Sequence, residues 1–236
     1  MIKICLVGAS GKMGRAVIEE AKNHDDIEIT NFIVHKNSEA LSLDVGEFHF
    51  RKASNQTFEA SINYNFDCII DFATREKVQE RIRLYAQLKK PVLFCTTGLE
   101  SKELDDIKDL SQEMPIFIAP NTSIVIALMH DLVRKVMNLD FSQKIQISEK
   151  HHVSKLDKPS GTALSFAKLA SLEKSEIKSF REGESGNWHK IQILNDFEEL
   201  EIMHSASNGS IYAQGALNVV KWFYQKPKNL YYMQTL

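Results

Sequence analysis

The stretch Ile2-Lys3-Ile4-Cys5-Leu6-Val7-Gly8-Ala9-Ser10-Gly11-Lys12-Met13-Gly14-Arg15 decides the fold. A mostly apolar run enters a turn with three glycines, and the turn enters a segment where Met13, Val17 and Ala21 share one helical face. Strand, glycine loop and amphipathic helix in that order open a doubly wound α/β sheet. Glycine lets the backbone turn sharply and approach a pyrophosphate, while the helix N-terminus supplies unpaired N–H groups and about half a positive charge. The spacing is Gly-x-x-Gly-x-x-Gly rather than the commoner Gly-x-Gly-x-x-Gly. Its place between strand and helix is therefore what points to a dinucleotide.

Outward from this unit, apolar runs at Ile27–Val34, 66–72, 92–95 and 116–119 predict further strands of a mostly parallel sheet. Amphipathic segments separate them: Val78, Ile82 and Tyr85 share one face, and Ile124, Leu128, Leu132 and Val136 form a four-residue apolar ladder. The polar stretch 37–65 predicts a loop. After about residue 140 apolar and polar residues alternate, as in Lys144-Ile145-Gln146-Ile147, Lys190-Ile191-Gln192-Ile193-Leu194 and 200–204, which predicts a half-exposed sheet. A late apolar segment, 216–223, reads as a helix. The expected fold class is α/β: an N-terminal Rossmann-type doubly wound parallel sheet plus a central α+β domain with an open mixed sheet. The dinucleotide-binding domain is expected over 1–122, completed by 209–236, and a substrate-binding and oligomerisation domain over 123–208.

The 236 residues carry 29 basic and 31 acidic side chains, a net charge of −2, so nothing global favours nucleic acid or an anionic membrane. Any anion site must be local. The longest aliphatic run, 124–129, is far short of the roughly 20 residues of a membrane span, and the opening strand lacks the cleavage pattern of a signal peptide. Cys5, Cys68 and Cys95 are odd in number and lie in apolar segments, which fits core thiols in a reducing cytoplasm better than disulfides or zinc.

In such folds an acidic residue about 20 positions after the loop grips the ribose 2′-hydroxyl. Here His35-Lys36 stands in that place, so Lys36, helped by His35, is suited to a 2′-phosphate, and NADPH is expected to be accepted alongside NADH. The competing reading makes both solvated loop residues. Two more loops, Cys95-Thr96-Thr97-Gly98 and Ala119-Pro120-Asn121-Thr122-Ser123, follow strands on the ligand side, where small polar groups can meet a nicotinamide and its ribose. Ser123 also suits the N-cap of the next helix.

The richest segment is Glu149-Lys150-His151-His152-Val153-Ser154-Lys155-Leu156-Asp157-Lys158-Pro159-Ser160-Gly161-Thr162. It leaves a strand and enters a helix whose apolar face is expected from Ala163, Leu164, Ala167 and Ala170. The backbone N–H groups of Gly161 and Thr162 are then free to hold a carboxylate, and Lys155 adds a full charge. Successive strand residues face opposite ways, so His151 and His152 have different roles. No metal is expected, because adjacent histidines seldom converge on one ion and no third ligand of suitable spacing accompanies them.

The chain resembles the dihydrodipicolinate reductase family over nearly its whole length. The resemblance is carried by Gly8-Ala9-Ser10-Gly11-Lys12-Met13-Gly14-Arg15, Asp71-Phe72, Thr96-Thr97-Gly98, Ala119-Pro120-Asn121, His151 through Leu164, and Arg181-Glu182-Gly183. The His-His-x-x-Lys-x-Asp-x-Pro-Ser-Gly-Thr-Ala string is its most specific part. The resemblance implies an NAD(P)H-dependent reductase that delivers a hydride to 4-hydroxy-tetrahydrodipicolinate, a cyclic dicarboxylic imine of the diaminopimelate route to lysine. It implies His151 as proton donor and acceptor and Lys155 as second proton donor, with His152, Gly161 and Thr162 on the substrate. It places Gly8, Ala9, Ser10, Gly11, Lys12, Met13, His35, Lys36, Cys95, Thr96, Thr97, Ala119, Pro120, Asn121 and Thr122 on cofactor, NADPH or NADH, and implies a homotetramer. The chain departs from the family pattern at His35, Ala73, Cys95 and Gly209. Two other readings stay open on the residues alone: a different nicotinamide oxidoreductase of a small carboxylated substrate, and a catalytically weak NAD(P)-binding regulator.

Overall fold

In a computed structural model of the chain, the structure describes residues 1–34, 51–52, 65–139, 144–184 and 186–235. They fall into two compact units, Met1–Thr122 with Tyr212–Leu236, and Ser123–Ile211.

The first unit is built on a seven-stranded parallel sheet: β1 (Ile2–Val7), β2 (Ile27–Val34), β3 (Arg51–Lys52), β4 (Cys68–Asp71), β5 (Val92–Phe94), β6 (Pro115–Ile118) and β11 (Asn229–Tyr232), in the order β11-β6-β5-β4-β1-β2-β3. Every pair is parallel. Its central strands are buried on both faces, so β5, and β4 up to Asp71, read as apolar runs with no alternation to mark them. Helices α1 (Lys12–Ala21), α2 (Val78–Leu88), α3 (Ser101–Leu110) and α6 (Ser210–Phe223) belong to the crossovers and the C-terminal return. The chain winds both ways from β1, toward β2 and toward β4. Ligands bind at this switch point in open α/β sheets, outside the carboxyl ends of the strands. The loop expected over 37–65 contains β3 at Arg51–Lys52, paired with Ile33 and Val34; the remainder before Asn65, like His35 and Lys36, lies outside the described residues.

The second unit has a four-stranded mixed sheet, order β10-β9-β7-β8, from β7 (Lys144–His151), β8 (Ile177–Arg181), β9 (Asn187–Leu194) and β10 (Glu199–Ala206). Helix α5 (Gly161–Leu169) and a short 3₁₀ turn link the parallel pair β7 and β8; the other neighbours are antiparallel. Helices α4 (Ile124–Met137) and α5 cover one face, packing Ile126, Met129, Val133 and Phe166 on Ile147, Ile177, Ile191 and Ile193. This corrects two sequence expectations. The Ile124-Leu128-Leu132 ladder of α4 is its exposed side, with Leu128 at 57% exposure, and Leu164 of α5 is likewise outside, its place on the core taken by Phe166. In both helices a second apolar stripe competes for the core, and the residues three and four apart beginning at Ile126 and Ala163 meet the sheet.

Candidate active site

In the first unit, Gly8 takes φ +81°, and a Cβ there would sit 2.8 Å from the Phe72 carbonyl carbon and the Ala73 nitrogen. At Gly14 a Cβ would lie 2.3 Å from the Gly8 oxygen, so only glycine lets α1 pass this close to the turn. Gly11 caps α1 with no side chain, and no acidic residue occupies the first turn. The positive end of α1 thus lacks a side-chain anion of its own, and the cradle fits a pyrophosphate.

Next to it, at the end of β4, Asp71 is fully buried and accepts from Ala73 N (2.9 Å), Arg81 Nε (2.8 Å) and Tyr85 Oη (2.9 Å). These bonds hold the Phe72-Ala73 turn that backs Gly8. Of the residues implied for cofactor, Ala9, Cys95, Thr96, Ala119 and Thr122 are buried, whereas Gly11, Lys12, Thr97 and Pro120 are exposed. Thr96 donates to Ala73 O and Thr122 to Tyr212 O, so both hydroxyls tie loops together. Burial, with the negative Asp71 nearby, pushes the Cys95 thiol well up, leaving it an inert core group.

In the second unit, β7 alternation places Glu149 and His151 on the same face of the sheet, turned toward the helices. His189 of β9 pairs directly with Glu149 across the ladder, and Arg181 of β8 pairs with His151. His151 Nε2 lies 3.0 Å from Glu149 Oε2 and 3.4 Å from His189 Nε2. The other carboxylate oxygen, Glu149 Oε1, accepts from Arg181 Nη1 at 3.0 Å and from Ser160 N at 3.2 Å. Ser160 caps α5, accepting from Ala163 N, and its hydroxyl lies 3.1 Å from His189 Nε2. Arg181 Nη2 donates to the Asp157 carbonyl, pinning the loop between strand and helix.

Electrostatics follow from these contacts. Burial alone raises the Glu149 carboxyl, but the nearby His151, Ser160, Ser179 and Arg181 outweigh it and hold the group well below the usual carboxylate range. Burial, then the neighbouring His151, pushes the His189 imidazole down to about 3, so it is neutral at pH 7. His204 on β10, the next ring beyond His189, is also lowered by burial.

His152 faces away from His151 and pairs with Ser154 Oγ at 2.7 Å. Lys155 Nζ lies 2.7 Å from Asp157 Oδ1. Asp157 also takes the Gly161 N–H; burial raises its carboxyl, and Lys155 with that N–H brings it down. The N–H of Gly161 is therefore not free, contrary to expectation, because a carboxylate four residues earlier in the same loop reaches it. His151 has close neighbours able to share an ion with it, and His152 is not among them. The ligand atoms of Glu149, His151 and His189 lie within 4.8 Å of one another, brought together by strand pairing rather than by chain spacing. Arg181 supplies the positive charge beside Oε1, while Glu149 Oε2, Arg181 Nε and His189 Nδ1 stay buried with no aligned hydrogen-bond partner.

Sequence reasoning missed Glu149, Ser160 and His189. A two-residue offset from His151 on a strand marks Glu149, and a serine before a helix start marks Ser160; only the β7–β9 register reveals His189.

The comparisons with known proteins bear on the chain as a whole. The family model for the dihydrodipicolinate reductase N-terminus matches residues 2–122, and that for its C-terminus matches residues 123–236. The chain belongs to the dihydrodipicolinate reductase family. It is 30% identical to a 4-hydroxy-tetrahydrodipicolinate reductase of Xanthomonas euvesicatoria, covering 100% of this chain and 97% of that one. With the enzyme of that name from Syntrophus aciditrophicus it shares 27% identity over 99% of this chain and 97% of the other. The dipicolinate-bound dihydrodipicolinate reductase of Paenisporosarcina sp. TG-14 has the same fold, with TM-score 0.80 and 21% identity over 98% of this chain and 97% of that one.

Proposed function

We propose that the chain is a 4-hydroxy-tetrahydrodipicolinate reductase using NADPH or NADH. The observation that carries this reading is the segment from His151 to Gly161, where a buried histidine held by a carboxylate, a lysine and a helix start occupy one short loop. A ring with two carboxylates calls for such cationic and N–H donors, and hydride addition to it calls for a proton source. Net reduction removes the ring hydroxyl as water and adds one hydride and one proton. When bound at Gly8 to Met13, with Thr96, Thr97 and the loop 119–122 alongside, the reduced nicotinamide supplies the hydride. His151 holds and exchanges the proton, Lys155 is the second donor, and His152, Gly161 and Thr162 bind substrate. Substrate must take Lys155 and the Gly161 N–H from Asp157 to use them.

The first unit is read as the cofactor domain and the second as the substrate and assembly domain of a homotetramer in the cytoplasm. Assembly is supported by the sheet face opposite α4 and α5, where Trp188 lies 6.0 Å from Phe180 and Met203 is exposed. The reducing compartment is supported by three free, buried cysteines, and among the described residues no helix is long and apolar enough to cross a membrane. The deciding experiment couples the purified protein to an enzyme that forms the cyclic imine and follows loss of reduced-nicotinamide absorbance. Turnover with NADPH at least as efficient as with NADH is expected. Tight NADPH binding without turnover would instead mark a regulator.

A further inference from the structure

We infer that Glu149 is a positioning residue that fixes a proton on Nε2 of His151, so that Nδ1 is the ring nitrogen exchanging the substrate proton. The inference rests on the reading of His151 above and goes one step further, to which ring atom works and what holds it there.

Glu149 is the only carboxylate in contact with His151 among the described residues, and it is 0% exposed. Oε1 is committed to Arg181 and Ser160 N, which holds the carboxylate with Oε2, itself in no aligned hydrogen bond, 3.0 Å from His151 Nε2. A carboxylate only accepts, so the imidazole nitrogen facing it carries hydrogen. Ser160 Oγ accepts from Ala163 N and lies 3.1 Å from His189 Nε2, and His189 Nε2 lies 3.4 Å from His151 Nε2; either partner can donate in these two contacts, so they do not choose the His151 tautomer. The Glu149 contact does, and Nδ1 is left to gain and lose a proton.

The charged and titratable groups around His151 are Glu149 on β7, Arg181 on β8, His189 and beyond it His204 on β9 and β10, and Lys155 with Asp157 in the loop. Helix α5 brings only the Ser160 hydroxyl. Arg181 is spent on Glu149 and Lys155 on Asp157, so Glu149 is the group whose charge bears directly on a protonated His151.

The test uses the intact enzyme with NADPH. Glu149→Gln keeps the shape and loses the charge. kcat is expected to fall at least about tenfold, with the Kd for NADPH unchanged. The alkaline limb of the kcat profile is expected to move toward acid by about one pH unit or more, as when an opposite charge within contact distance is removed. A fall in kcat with the limb unmoved would reduce Glu149 to a structural role and overturn the inference. ¹⁵N spectra of histidine-labelled wild type add a readout that needs no variant: neutral His151 is expected as the Nε2–H tautomer, and Nδ1–H would overturn the inference even if Glu149→Gln fails to fold. Absence of wild-type turnover would refute the functional reading instead, and the tautomer measurement stands apart from it.

Discussion

Asp71 and Glu149 are both carboxylates with 0% exposure, each on an interior strand of its sheet and each bound to an arginine. They nevertheless do different things. Asp71 spends its oxygens on a backbone N–H, an arginine and a tyrosine hydroxyl, none of which changes charge near neutral pH. Glu149 gives one oxygen to such fixed donors and turns the other toward two imidazoles. A saturated buried carboxylate is a brace, and one with an oxygen facing a titratable ring is, on the proposed reading, placed to bear on proton transfer.

The largest expected effect sharpens the chemical side of that contrast. Lys155→Ala should lower kcat/KM by about 10² to 10⁴, the usual cost of losing a positioned acid, with NADPH affinity nearly intact. Steady-state kinetics beside a fluorescence titration of NADPH check both halves. The structural side predicts the opposite pattern for Asp71→Ala, which removes the acceptor of the buried Tyr85 hydroxyl and the counter-charge of Arg81, leaving that guanidinium only the Glu76 and Thr74 carbonyls among the bonds described. Stability should fall by about 3–5 kcal/mol, or roughly 10 °C in Tm for a protein of this size. Calorimetry would break the comparison if Asp71→Ala melted normally while losing turnover.

What could be read from the sequence follows the same division. Strands β1 and β2 end where their apolar runs end, and the glycine turn declares itself because close backbone approach demands glycine. His151, Lys155 and the α5 start sit within one short segment, so their association is local. β8 and β11 are not legible, since an edge strand such as Ile177–Arg181 mixes charges with a weak alternation. The α4 face is misread because that helix is apolar on more than one side. His189 stays hidden because its partnership depends on the register that sets it opposite Glu149, 40 positions earlier in the chain.

The third test uses pH. The folded pKa of His189 is depressed to about 3 from an unfolded value near 6.5. The unfolded chain therefore binds the extra proton between these values, and this contribution to stability is full above about pH 6.5 and is lost as pH falls toward 3. From pH 7 to 5 the loss is about 2 kcal/mol, with His204 adding in the same direction. Among the described residues, the first unit has only the partly exposed His24 as a counterpart. Trp188 and Trp222 report on the two units separately, so urea titrations of Trp222→Phe and Trp188→Phe at both pH values should show the second unit weakening more. Equal weakening would remove the distinction between the two buried carboxylate clusters.

The smallest effect concerns Asp157, whose carboxylate holds both Lys155 and the Gly161 N–H. Its side chain is 55% exposed, so the ion pair contributes at most about 1 kcal/mol after solvent screening. A substrate carboxylate that needs the same two donors has to displace it, so part of its binding energy goes to breaking that pair. Asp157→Asn should lower KM for the cyclic imine, by no more than about fivefold, while kcat holds and Tm barely moves. If KM rises instead, Asp157 orients Lys155 rather than competing for it. The loop would then resemble the braced Asp71 cluster more closely than the open Glu149 one.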